Sequence, residues 1–159
     1  IAWVTDVSEF RFNRKRLYLS VIQDLYNGEV KAYQISRSQN QDLILKTLKK
    51  AINPNEDLSK LLIHSDQGIL YQSPKYRNYL KKASFTQSMS AKGNAYDNAV
   101  VESFFGTLKC ETIYLQKVKS LSDLIKTIDE YIYWYNHHRI KLTLGGYSPI
   151  QFRLMNQQI

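Results

Sequence analysis

The sequence predicts an α/β domain built on a mixed five-stranded sheet, three antiparallel strands followed by parallel ones, with helices on its flanks. Two observations predict it. Three β-rich segments come first, the second and third joined by Tyr26-Asn27-Gly28, and Asn-Gly between such runs is a strong hairpin signal. Helical and strand-like segments then alternate, the pattern that lays later strands parallel to earlier ones. A chain of 159 residues, 43% of them apolar, suits one domain with its own core, so a single domain over residues 1–159 is expected.

The elements follow in order. Strands are expected over 1–8, 16–25 and 29–36. From about Gln39 to Ala51, the residues Leu43, Ile44, Thr47, Leu48 and Ala51 make one apolar helical stripe, which Asn53-Pro54 ends. Leu61-Leu62-Ile63-His64-Ser65-Asp66 is a short apolar run that stops at polar residues and Gly68, the profile of a buried parallel strand. A short helix over 74–82, a strand over 85–88 and a loop with Lys92-Gly93-Asn94 lead to a longer helix from about Ala95 to Cys110. A helix over 122–136 carries Leu124, Ile125, Ile128, Tyr131, Ile132 and Tyr135 at helical spacing. Ser148-Pro149 reads as the cap and first turn of a last short helix ending near Met155.

Twenty-two Lys and Arg against 14 Asp and Glu give a net charge of +8, which points to a polyanionic partner such as nucleic acid or an acidic membrane surface. No run approaches the roughly 20 apolar residues of a membrane-spanning helix, and no secretory signal opens the chain, so a soluble intracellular protein is expected. The one cysteine, Cys110, excludes an internal disulfide and has no neighbours at zinc-ligand spacing. The chain opens at Ile1-Ala2-Trp3-Val4-Thr5, in the middle of a strand, so it is expected to be a piece of a longer protein.

Three acids stand out. Asp6 interrupts an apolar strand, where a carboxylate is costly to desolvate. Asp66 falls at the end of the buried strand, where ligand-binding groups of α/β sheets gather. Glu102 lies on the helix from Ala95 among Val101, Phe104 and Phe105, beyond the first turn in which an acid would answer the helix dipole. Brought together, the three would repel one another unless a cation joined them. Carboxylates without Cys or paired His favour Mg²⁺ or Mn²⁺, which take further ligands from substrate phosphates. Taken singly, each acid is more readily read as a hydrogen-bonded or salt-bridged side chain than as a metal ligand; the three together point to the ion. The spacing of Asn98, Glu102 and Lys109 places an amide, a carboxylate and an ammonium on one helix face, for which a solvated polar stripe is the competing reading.

Trp3-Val4-Thr5-Asp6, His64-Ser65-Asp66-Gln67-Gly68 and the run from Ser90-Ala91-Lys92-Gly93-Asn94 through Asn98 and Glu102 to Lys109 resemble the three acidic motifs of bacterial insertion-sequence transposases that share the retroviral integrase catalytic core. Thirty-five residues, 67 to 101, lie between Asp66 and Glu102, the spacing of that family's aspartate-aspartate-glutamate signature. Tyr135-Asn136-His137-His138-Arg139 through Ser148-Pro149-Ile150-Gln151-Phe152 is similar to its C-terminal motif, with Lys141 where many relatives carry His.

The resemblance implies a ribonuclease H-like fold, with Asp6, Asp66 and Glu102 binding two Mg²⁺ or Mn²⁺ ions. It implies cleavage at the element ends and attack of the freed 3′-hydroxyl on target DNA. It further implies DNA as partner, self-association in the active assembly, no membrane or small-molecule cofactor, and action on the nucleoid in the bacterial cytoplasm. The family's DNA end-recognition module lies upstream of this region. Lys109, Lys92, Asn94, Asn98, His64 and Arg139 are the candidate DNA contacts. Lys109 is also readable as a surface lysine, His64 as a satisfied sheet-edge histidine, and Tyr131, Tyr133, Trp134 and Tyr135 as helix packing in preference to base stacking. Two further functions share these local features: a ribonuclease H-like nuclease that hydrolyses without joining, and a repurposed core that binds DNA without cutting.

Overall fold

A computed structural model of the protein describes residues 1–89, 98–113 and 118–156. Strands β1 (Ala2–Phe12), β2 (Lys15–Asp24) and β3 (Val30–Ser36) form the antiparallel meander. Strands β4 (Leu62–Ser65) and β5 (Thr86–Met89) add in parallel, giving the order β3-β2-β1-β4-β5. The mixed five-stranded sheet expected from the sequence is therefore present.

β1 extends four residues beyond the predicted Ser8, pairing Phe12 with Lys15 across a turn at Asn13 and Arg14. Asn13 takes the left-handed conformation (φ 55°) that a two-residue hairpin requires, a role open to Asn without Gly. The predicted Tyr26-Asn27-Gly28 turn joins β2 to β3, with Gly28 at φ +73°. It is closed by hydrogen bonds from the Gly28 amide to the Asp24 carbonyl (2.8 Å) and from the Asp24 amide to the Glu29 carbonyl (2.8 Å).

Alternation along the strands divides the core into two layers. Trp3, Ile22, Ala32 and Ile63 face helix α1 (Gln41–Ala51), which is capped by Asn40 and contributes Ile44, Leu45 and Leu48. Tyr76 and Leu80 of α3 (Pro74–Lys82) complete that layer; α3 follows the one-turn helix α2 (Ile69–Gln72). Val4, Phe10, Leu17, Leu19, Val21 and Val30 face the other way. They pack on α4 (Ala99–Leu108) through Val101, Phe104, Phe105 and Leu108, and on α5 (Leu121–His137) through Leu124, Ile128 and Ile132.

α5 is locked to the sheet by the buried Asn136. Its amide accepts from the Val30 N–H (2.9 Å) and donates to the Val30 carbonyl (2.9 Å), supplying both bonds that a neighbouring strand would have made. α6 (Pro149–Asn156) returns to the β2–β3 turn through Arg153 and Glu29 (2.7 Å) and through the Asn27 side chain and the Pro149 carbonyl (3.0 Å). No helix among the described residues is long and apolar enough to cross a membrane.

Two elements depart from the expectation. α4 begins at Ala99, and residues 90–97 lie outside the described residues. Beyond Leu108 its last turn widens into a π-helical turn, Lys109–Ile113, which alters the angular spacing of the side chains that follow.

Candidate active site

Parallel pairing of β1 with β4 sets Ala2 beside Leu62, Trp3 beside Ile63 and Val4 beside His64. Continued two places, that register brings Asp6 next to Asp66, just past the C-terminal end of β4. Both acids line one cavity of ≈ 440 Å³, together with Gln39, Gly68, Leu70 and Tyr71. The floor is fixed by polar ties. Tyr71 is buried, and its hydroxyl lies 3.4 Å from the Thr5 hydroxyl, which itself donates to the Val21 carbonyl (2.9 Å). Gln41 and Gln87 hold the α2 backbone by donating to the Leu70 (2.8 Å) and Tyr71 (2.9 Å) carbonyls.

Each aspartate is oriented by one backbone N–H: Val7 donates to Asp6 Oδ1 (2.7 Å) and Gly68 to Asp66 Oδ1 (2.8 Å). Gly68 is needed for the close approach, because a Cβ there would stand 2.8 Å from Asp66 Oδ1. Burial pushes the Asp6 carboxyl up to about 6; the Val7 hydrogen bond opposes this, and the charges of Asp66 and Glu102 add to it. No Lys or Arg forms an ion pair with Asp6, Asp66 or Glu102 among the described residues. Two hard oxygen donors pressed together without a compensating cation suit a divalent ion of the Mg²⁺ type.

Glu102 stands apart from the pair. It is exposed on α4, close enough to raise the Asp6 carboxyl electrostatically, but it does not line the cavity of the two aspartates. Among the described residues no three Asp, Glu, His or Cys side chains are grouped closely enough to hold an ion. Because α4 starts at Ala99, Glu102 falls in its first turn, where the helix dipole favours an acid; the expected position beyond the first turn is corrected accordingly. The polar face of Asn98, Glu102 and Lys109 is also broken up. Asn98 is buried, with its Oδ1 unpartnered and no capping hydrogen bond from its side chain. Lys109, in the π turn, lays its ammonium 4.9 Å from the Phe10 ring centroid.

The remaining candidates scatter. His64 is buried on β4, with Nδ1 3.0 Å from the Ser88 hydroxyl on β5. Arg139 forms a forked pair with Glu111 (2.7, 3.1 and 3.2 Å), which also accepts from the Tyr131 hydroxyl (2.7 Å), and this cation holds the Glu111 carboxyl below its ordinary range. Lys92 and Asn94 lie outside the described residues. Of the aromatic group on α5, Tyr131 and Tyr135 are buried, whereas Tyr133 and Trp134 are exposed. Sequence reasoning missed Gln39 and Tyr71 as walls of the aspartate cavity; neither carries a local signal, since only the folded sheet brings them to Asp6.

The integrase core domain pattern matches residues 1–95, and a second pattern of the same description matches residues 102–157. The chain is 46% identical over 154 residues to the putative transposase InsK for insertion sequence element IS150 of Escherichia coli, covering 95% of this chain and 53% of that protein. It is 45% identical over 151 residues to an uncharacterized transposase-like protein of Haemophilus influenzae, covering 95% of this chain and 69% of that one. The chain thus spans between about half and two thirds of these relatives. Among solved structures, the HTLV-2 integrase catalytic core domain in complex with magnesium superimposes with a TM-score of 0.75 at 17% identity, covering 95% of this chain and 94% of that one. The BIV integrase catalytic core domain gives a TM-score of 0.71 at 18% identity, covering 99% and 95%. These two share the fold: a ribonuclease H-like mixed sheet between helices.

Proposed function

The chain belongs to the integrase core domain family, and on that premise we propose that it is the catalytic core of a bacterial insertion-sequence transposase, cutting element ends and joining them to target DNA. The observation that carries the proposal is the pair Asp6 and Asp66, without an ion-pair partner among the described residues and set side by side by β1 and β4, with Asp6 raised to about 6.

In this reading Asp6, Asp66 and Glu102 hold two Mg²⁺ or Mn²⁺ ions. When bound, such ions align an attacking oxygen, lower its pKa and stabilise charge on the oxygen that leaves. The Val7 and Gly68 amides fix one oxygen of each aspartate and leave Oδ2 of each without a hydrogen bond among the described residues. Glu102 supplies the third carboxylate from α4. The sheet positions the aspartates, and Glu102, exposed on α4 and near enough to act on Asp6 electrostatically, would complete the set that holds the ions. DNA is the partner, two cores act together on two ends, and the work is done on the nucleoid in the cytoplasm.

A second reading is favoured by one observation: an exposed Glu102 in a helix first turn is stable there without an ion, as a DNA-binding core that no longer cuts would allow. An assay with labelled element ends, target DNA and Mn²⁺ decides. Joined product supports the transposase. Hydrolysis without joining points to a nuclease, and DNA binding without any strand cleavage sinks the catalytic proposal.

A further inference from the structure

A second cavity, of ≈ 340 Å³, opens beside α4. Ala99, Ser103 and Thr107 of α4 line it, along with Tyr135, Arg139 and Lys141 from α5 and the segment after it. No Asp or Glu lines it among the described residues.

Lys141 is its half-buried cation. The ammonium crosses the face of Gly28, where any Cβ would collide with it, and donates to the Tyr135 hydroxyl oxygen at 3.2 Å. That oxygen also accepts from Gln23 Nε2 (3.1 Å), so both contacts use it as acceptor and leave the Tyr135 O–H proton without an acceptor among the described residues. No carboxylate pairs with Lys141 among the described residues, and burial together with neighbouring Arg139 pushes its pKa down. Arg139 spends Nε and Nη2 on Glu111 and keeps Nη1 without a hydrogen bond among the described residues.

A half-buried ammonium, a guanidinium edge and a phenol hydroxyl, on a wall with no Asp or Glu among the described residues, are the donor set of a tetrahedral oxyanion site. We propose that this cavity binds a phosphate group, specifically a backbone phosphodiester of the nucleic-acid strand engaged by α4. The assignment to a nucleic-acid strand rests on the transposase reading. Glu102 and Ser103 are consecutive on α4, about 100° apart around the helix, so in this reading the mouth lies round the helix from the acids, within reach of a neighbouring phosphate of the same strand. The anion would supply Lys141 with a counter-charge in place of the hydration that burial removes.

The test is DNA binding by fluorescence anisotropy over a salt series, carried out in EDTA so that the result does not depend on metal or cleavage. Lys141→Gln and Thr107→Glu are each expected to weaken binding about three- to tenfold, and Lys141→Gln to lower the slope of log affinity against log salt by about 0.7–0.9, the share of one phosphate contact. Parental affinity and slope in both cavity variants would overturn the proposal. A melting temperature raised by inorganic phosphate in the parent but not in Lys141→Gln, with DNA binding unchanged, would overturn the nucleic-acid assignment in favour of free phosphate. Thr107→Glu removes no contact of the Lys141 anchor, so it keeps the test decisive if Lys141→Gln fails to fold.

Discussion

The aspartate pair and the Arg139–Glu111 pair are both charged clusters at the ends of well-packed elements, yet they are built on opposite principles. Glu111 receives a forked guanidinium and a tyrosine hydroxyl, and its carboxyl is held below the ordinary range. Asp6 receives one backbone N–H, has two other acids in range, and is raised to about 6. A cluster that satisfies itself contributes to the fold and needs nothing more. One that leaves like charges facing each other costs stability in the free protein, a cost that a bound cation would offset.

The sharpest break between the two regions comes from removing one charge of the aspartate pair. Asp66→Asn is expected to lower metal-dependent cleavage by at least about a hundredfold while leaving the melting temperature unchanged or slightly higher. A large drop in melting temperature with activity retained would place Asp66 among structural residues. Asn136→Ala acts on the structural side. It strips both bonds from the buried Val30 backbone and is expected to cost about 2–4 kcal/mol in chemical denaturation, with no direct effect on metal binding. Arg139→Met is expected to cost less, about 1–2 kcal/mol, because both partners are partly exposed. Combined with Glu111→Gln it should cost less than the two single changes added together, and strict additivity in that double-mutant cycle would show that the pair is not coupled.

The sequence made one of these regions far more legible than the other. Asp66 can be read from a buried apolar run that stops at polar residues, and Asp6 from an acid inside a strand, because both signals are local. The pairing of Asn136 with Val30, 106 residues away, cannot be read this way, since an Asn at the end of a helix carries no mark of the strand edge it will complete. Gly28 illustrates the same limit. Its turn is written in Asn27-Gly28, but the passage of the Lys141 ammonium across it exists only once α5 has docked. The one-turn helix α2 is too short for periodicity, and the π turn after Leu108 breaks the spacing on which the Lys109 face was argued. Glu102 is the instructive case. Its motif is specific, but its place in the first turn of α4 depends on where the helix begins, which a sequence pattern fixes least well.

The smallest expected effect is a dependence on pH that separates the two regions without disabling either. The Asp6 carboxyl titrates near 6 in the fold and near its ordinary value, 3.8, in the unfolded chain. Its protonated form is therefore favoured by folding. The stability it contributes is complete below about pH 4 and lost as pH rises through about 6. Asp6→Asn keeps a neutral side chain throughout, so its advantage over the parent in metal-free buffer should grow from pH 4 to pH 6 and then level off, at about 1–2 kcal/mol after allowance for partial exposure. Glu111, with its carboxyl lowered, behaves in the opposite sense: its contribution is present above the ordinary glutamate range and fades as pH falls. On the proposed reading Mn²⁺ competes with the Asp6 proton, so parental affinity for the ion should rise as pH passes through about 6, from pH 5 to pH 7. A flat affinity there, measured by calorimetry alongside the Asp6→Asn melting curves, would mean that Asp6 is not a ligand and that its raised carboxyl reflects burial alone.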